Sequence, residues 1–104
     1  GVSSNNHGYS TAIGVKANEL ATTGGYNLTV GYQAGDNLTS GAGNVIIGGV
    51  DAPSATADRQ LMITGHDGST TTTWISGEST GNVEINEVWN PSLSTTGKAF
   101  VMGF

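Results

Sequence analysis

The chain has no cysteine, which excludes disulfides and thiolate metal sites and leaves its redox compartment unmarked. Bases are nearly as scarce: Lys16, Arg59 and Lys98 stand against eight carboxylates, for a net charge of -5. No basic stripe for phosphates is possible, so nucleic acid is not an expected partner. Charged residues make up only 11% and there are only two prolines, while Val, Ile and Thr recur throughout, which is not the composition of a disordered chain. No apolar run approaches the roughly 18 residues of a membrane span, so no membrane insertion is expected. Gly1 to Ser10 show neither the basic start nor the apolar core of a signal peptide. Opening on Gly1 rather than Met, the sequence reads as a piece of a longer chain. What is abundant is Gly, Ser, Thr and Asn, nearly half of the 104 residues, with apolar residues at 36%. The expectation is a turn-rich all-β protein with too little apolar material for a compact monomer.

The sequence repeats itself. Aligning Ser10-Thr11-Ala12-Ile13-Gly14, Asn27-Leu28-Thr29-Val30-Gly31 and Asn44-Val45-Ile46-Ile47-Gly48 puts the three glycines at a constant spacing of 17. Gly8 and Tyr9 then fall over Gly25 and Tyr26, Ala17 over Ala34, Glu19 over Asp36, and Thr22-Thr23 over Thr39-Ser40. A weaker fourth copy, Leu61-Met62-Ile63-Thr64-Gly65, keeps the phase to Gly65 and loses the asparagine. A period this short without helical spacing indicates stacked β-coils, one repeat per turn of a roll or solenoid. Within each copy the alternation has period two, with Thr11, Ile13 and Val15, or Leu28, Val30 and Tyr32, on one face and Ala12, Thr29 and Ile46 on the other. Ile47 is expected to point into the roll. Turns are expected at Thr23-Gly24-Gly25 and Ser40-Gly41-Ala42-Gly43.

Three such coils order about 50 residues at roughly 1 kcal/mol or more each in backbone entropy. A buried Ile, Val or Leu returns about 1.5–3 kcal/mol, and the repeats contain only a handful. Self-association about a symmetry axis would supply the missing burial. After the linker Asp51-Ala52-Pro53-Ser54-Ala55, short strands are expected at Leu61–Thr64, Thr72–Ser76, Asn82–Asn86 and Ala99–Met102. The division is therefore a repeat region over 1–50 and a short-strand region over 51–104.

The unit Asn-x-x-Ile/Val-Gly-Tyr-x-Ala with its Thr-Thr/Ser-Gly turn, clearest from Asn27 to Gly48, resembles the head repeats of trimeric autotransporter adhesins and, more nearly, repeats of that type in phage tail-fibre proteins. The resemblance covers roughly Gly8 to Gly49. Downstream, Arg59 to Ile63, Thr73 to Glu78 and Gly81 to Asn86 resemble the shaft that follows such repeats, and Thr95 to Phe104 is similar to the closing strand of marine phage structural proteins. The resemblance implies a parallel homotrimer in which a left-handed β-roll leads into an interwoven β-prism-like stem, with Gly14, Gly31, Gly48, Ile13, Val30, Ile47, Asn27 and Asn44 as the structural repeat positions. The sequence departs from the pattern at Gly43, where a third Tyr would stand, and at Pro53, where a third carboxylate would.

Candidate sites are few. His66-Asp67 reads as turn chemistry, since Asp-Gly is a hairpin signal and no Gly-x-Ser-x-Gly elbow accompanies it. His7 or His66 could form a ring about a trimer axis and bind a metal, against the plainer reading of a hydrogen-bonded or solvated histidine. Glu19 and Asp36 should stack about 4.8 Å apart on successive strands. A bound Ca²⁺ would relieve them, although solvated repulsion offset by Lys16 is the default, and no metal or other cofactor is expected. Tyr9 and Tyr26 should form an aromatic step, and with Trp89 in its Asn90-Pro91 turn they are the possible receptor contacts; Trp74 and Phe100 are expected in an axial core. The Thr70 to Thr73 run, an ice-binding pattern only if it recurred once per coil, occurs once.

The functional expectation is a non-enzymatic segment of a trimeric virion tail fibre or receptor-binding fibre, attaching to a host-surface glycan or protein. Alternatives are the head of a bacterial trimeric adhesin and a self-assembling extracellular filament. A polysaccharide hydrolase using Glu19 and Asp36 would need a cleft between two carboxylates, which the repeats do not suggest.

Overall fold

The structure, a computed structural model, describes residues 8–85. His7, Trp89, Phe100 and the strand expected at Ala99–Met102 lie outside the described residues. Within them the chain is all-β, with no helix, and forms one six-stranded sheet in sequential order: β1 (Thr11–Ile13), β2 (Leu28–Val30), β3 (Val45–Ile47), β4 (Leu61–His66), β5 (Thr71–Gly77) and β6 (Val83–Ile85). The first three pairings are parallel, and β4–β5 and β5–β6 are antiparallel hairpins.

The repeat explains the parallel half. Thr11 pairs with Leu28 and Leu28 with Val45, a register of one repeat per strand. Each of the first three strands begins after a polar residue whose side chain accepts from the backbone amide of the next coil, and is followed by a glycine. The Asn27 amide donates to Ser10 Oγ at 3.1 Å, the Asn44 amide to Asn27 Oδ1 at 2.8 Å, and the Gln60 amide to Asn44 Oδ1 at 2.7 Å. Asn27, Asn44 and Gln60 are buried, and Asn27 Nδ2 and Asn44 Nδ2 also satisfy the carbonyls of Gly41 and Ala57. A buried amide ladder is stable only when its donors and acceptors are matched in this way.

The glycines at the strand ends are packed backbone against backbone. A Cβ on Gly14 would collide with the Gly31 carbonyl, one on Gly31 would lie 3.0 Å from Gly48 C, and one on Gly48 would meet Thr64. Their φ angles of +128°, +131° and +112° are likewise closed to side chains.

The fourth coil corrects the expected phase. Val45 pairs with Leu61 and Ile47 with Ile63, so this coil is one residue shorter than the others and Thr64, not Gly65, follows Gly48 in the column. The asparagine is not lost but replaced. Gln60 takes its place, and the longer side chain bridges the altered loop by accepting from the Ser54 amide at 2.8 Å and donating to the Ser54 carbonyl at 2.9 Å.

The facing of the strands is also corrected. The interior takes Ala12, Thr29 and Ile46, which are 1%, 0% and 0% exposed, and packs Ile46 with Ala34, Leu38 and Ala52. Ile47 does not point inward; it is 36% exposed, and Ile13 57%. The loop residues Ala17, Ala21, Ala34 and Leu38 are buried as well, and alternation along each three-residue strand turns its middle side chain inward and the two flanking ones outward.

Candidate functional site

Three surface features emerge where the repeats stack. The first is an apolar face. Strand pairing aligns Ile13, Val30, Ile47, Ile63, Ile75 and Ile85 in one column across all six strands, and Thr11, Leu28, Val45, Leu61, Gly77 and Val83 in a second column on the same face. Neither column contains a charge. Every side chain in them is half-buried or exposed. The two halves of the sequence thus share one continuous β-branched surface, although β4–β6 do not follow the seventeen-residue spacing.

The second feature is a column of left-handed backbone just before each strand. Tyr9, Tyr26, Gly43 and Arg59 have φ of +66°, +61°, +71° and +51°. Tyr9 and Tyr26 stack with centroids 5.1 Å apart and planes inclined by 16°, as the sequence predicts, and are 82% and 67% exposed. Gly43 keeps the backbone conformation of the missing third tyrosine. Arg59 leans its Cγ to 3.3 Å from the position of a Cβ on Gly43. Arg59 was not legible as part of this column, because the shortened coil moves it into phase.

The third is the acidic group. Glu19 and Asp36 do not lie on successive strands as expected, since the strands end at Ile13 and Val30 and both carboxylates stand in the turns that follow; there Asp36 feels the charges of Glu19 and Lys16, and its further partner is Asp51 rather than a residue at position 53. Burial raises the Asp36 carboxyl above its ordinary value, reinforced by a hydrogen bond with Asp51 and by the charges of Asp51 and Glu19, with Lys16 opposing. No three His, Asp or Glu side chains among the described residues are arranged to hold a metal ion.

The remaining candidates are local structure. Asp67 Oδ1 accepts from the Ser69 and Thr70 amides at 2.9 and 2.7 Å and closes the β4–β5 hairpin; these bonds lower its pKa. His66 Nδ1 lies 2.8 Å from Thr71 Oγ1 across the same hairpin. Trp74, 53% exposed, lies over Gly65. A groove of ≈ 540 Å³ between residues 53–60 and the β5–β6 hairpin is lined in part by Asp58, Glu78 and Glu84. Two of its carboxylates are already engaged: Asp58 accepts from the Ala42 amide, and Glu78 from Thr80 and Asn82.

No family model matches the chain, and no curated protein or solved structure is significantly similar to it. No helix among the described residues is long and apolar enough to cross a membrane.

Proposed function

We propose that the chain is a non-enzymatic structural segment of a homotrimeric fibre, set in a virion as part of a tail fibre or receptor-binding fibre, that extends and stiffens the fibre and carries contacts for a host surface. The observation that supports this reading is the charge-free aliphatic face running over all six strands. The internal core is meagre by comparison. Of the seven buried hydrophobic residues among the described residues, five are alanine and two, Leu38 and Ile46, are large. At about 1.5–3 kcal/mol per buried large aliphatic, the apolar burial available outside exceeds that inside. A monomer exposing such a face would be prone to association.

In this reading β1–β4 are successive coils of a left-handed β-roll, and the hairpins of β5 and β6 begin the interwoven stem. The number three comes from the resemblance of the repeats. Three copies on one rod also multiply weak surface contacts by effective concentration. The test is native mass measurement with the purified chain. Three times the monomer mass is expected, and a stable monomer at micromolar concentration would overturn the proposal.

A further inference from the structure

The left-handed column is interrupted, and the interruption is one ring deep. Tyr9 and Tyr26 fill two successive rungs with stacked rings. Gly43 occupies the third rung with no side chain, and Arg59 the fourth. Parallel strands are about 4.8 Å apart, so Tyr26 and Arg59 stand two rungs, or roughly 10 Å, from each other. Between them Gly43 forms the back wall, and the Arg59 stem lies 3.3 Å from where a Cβ on Gly43 would be. That spacing admits one further ring in contact with the free face of Tyr26 at ordinary stacking separation.

Packing inside the chain does not explain these side chains. Left-handed non-glycine backbone recurs in the loops too, at Lys16, Asn18 and Gln33, so it belongs to the coil and does not by itself account for what stands on the column. The tyrosines recover no burial, being 82% and 67% exposed. Their mutual stack accounts for one face of Tyr26 and leaves the other open. Arg59, likewise exposed, brings a positive charge to the fourth rung with its stem leaning toward Gly43, and the neighbouring Asp58 is engaged by the Ala42 amide at 2.9 Å.

The geometry points to a carbohydrate site in the Gly43 rung, taking an acidic pyranose whose C–H face lies on Tyr26 and whose carboxylate meets the Arg59 guanidinium. This rests on the attachment reading above. It names the class of surface ligand. Arg suits a carboxylate because its planar fork can donate two parallel hydrogen bonds.

The experiment is calorimetric titration of the full chain with a glucuronate-terminated oligosaccharide and with its neutral glucose-terminated counterpart. The acidic sugar is expected to bind at least about tenfold more tightly, with affinity falling as salt is added. Gly43→Tyr completes the stack in a backbone conformation that Tyr9 and Tyr26 already adopt. It should lose the binding while the chain still folds, with a thermal midpoint somewhat lowered by a side chain at φ +71° set against the Arg59 stem. Arg59→Gln should bring the acidic sugar down to the neutral one. Absence of binding at millimolar sugar, equal affinity for the two sugars, or unchanged affinity in Gly43→Tyr would each overturn the site. Native mass on the same samples separates the two readings: a trimer that does not bind sinks the site alone, whereas a monomer sinks the fibre and leaves the titration to decide the site.

Discussion

Asn44 ties three coils together through one buried carboxamide. Its backbone and side-chain N–H groups both donate to Asn27 Oδ1, its Oδ1 accepts from the Gln60 amide and from Gln60 Nε2, and its Nδ2 reaches the Ala57 carbonyl. Asn44→Ala strands the buried Gln60 amide and leaves the Ala57 carbonyl to Gln60 Nε2 alone, so a loss of about 1–3 kcal/mol is expected in urea unfolding. Asp36 gives a prediction of opposite sign. The folded chain holds its proton more tightly than the unfolded chain, whose carboxyl titrates near 3.8. The stability it contributes is therefore present below that value and is lost as pH rises through the raised folded pKa. Asp36→Asn should unfold at a higher temperature than the parent near neutral pH, with the gap closing as pH falls toward 3.8. No gap at neutral pH would mean that Asp36 is not strained by Asp51 and Glu19.

At the level of the element, the three parallel strands β1–β3 were legible because their neighbours are specific: in front a polar residue whose side chain accepts from the next coil, behind a glycine. The fourth coil was not. Reading the phase to Gly65 assumed a constant period, and only the pairing of Leu61 with Val45 shows the deleted residue. Gln60 is what makes the deletion tolerable, because its extra methylene lets the same buried carboxamide reach Ser54. Gln60→Asn restores the repeat consensus and should nonetheless destabilise the chain by about 1–2 kcal/mol, by withdrawing the side chain from Ser54. Equal or greater stability in thermal unfolding would show that the consensus residue suffices. The His66-Asp67 turn was legible for the opposite reason, since an Asp-Gly hairpin is decided within four residues.

For the whole molecule, the decisive comparison is between adjacent residues on one strand. Ile46 is fully buried among Ala34, Leu38 and Ala52, while Ile47 is 36% exposed in the outer column. Ile46→Asp places a carboxylate in the interior and should abolish the β-sheet circular dichroism signal. Ile47→Asp should keep that signal and weaken association, read as a shift toward monomer in light scattering. If Ile47→Asp leaves the mass unchanged, this face is not where copies meet. If it unfolds the chain, the outer column is part of the chain's own core.

Among the described residues, the sequence by itself determined the repeat, the approximate strand positions, the aromatic step of Tyr9 on Tyr26 and the all-β class. Each follows from short-range constraints: period-two alternation, glycine at strand ends, turn residues between. Only the tertiary structure decided which face of each strand is interior, because alternation defines two faces without naming the buried one. The buried set is the middle residue of each short strand, packed in the best-filled coil as Ile46 with Ala34, Leu38 and Ala52. The tertiary structure also decided that Asp51 joins Asp36 and that Arg59 falls into line beneath Gly43, since both depend on how far each coil advances along the chain.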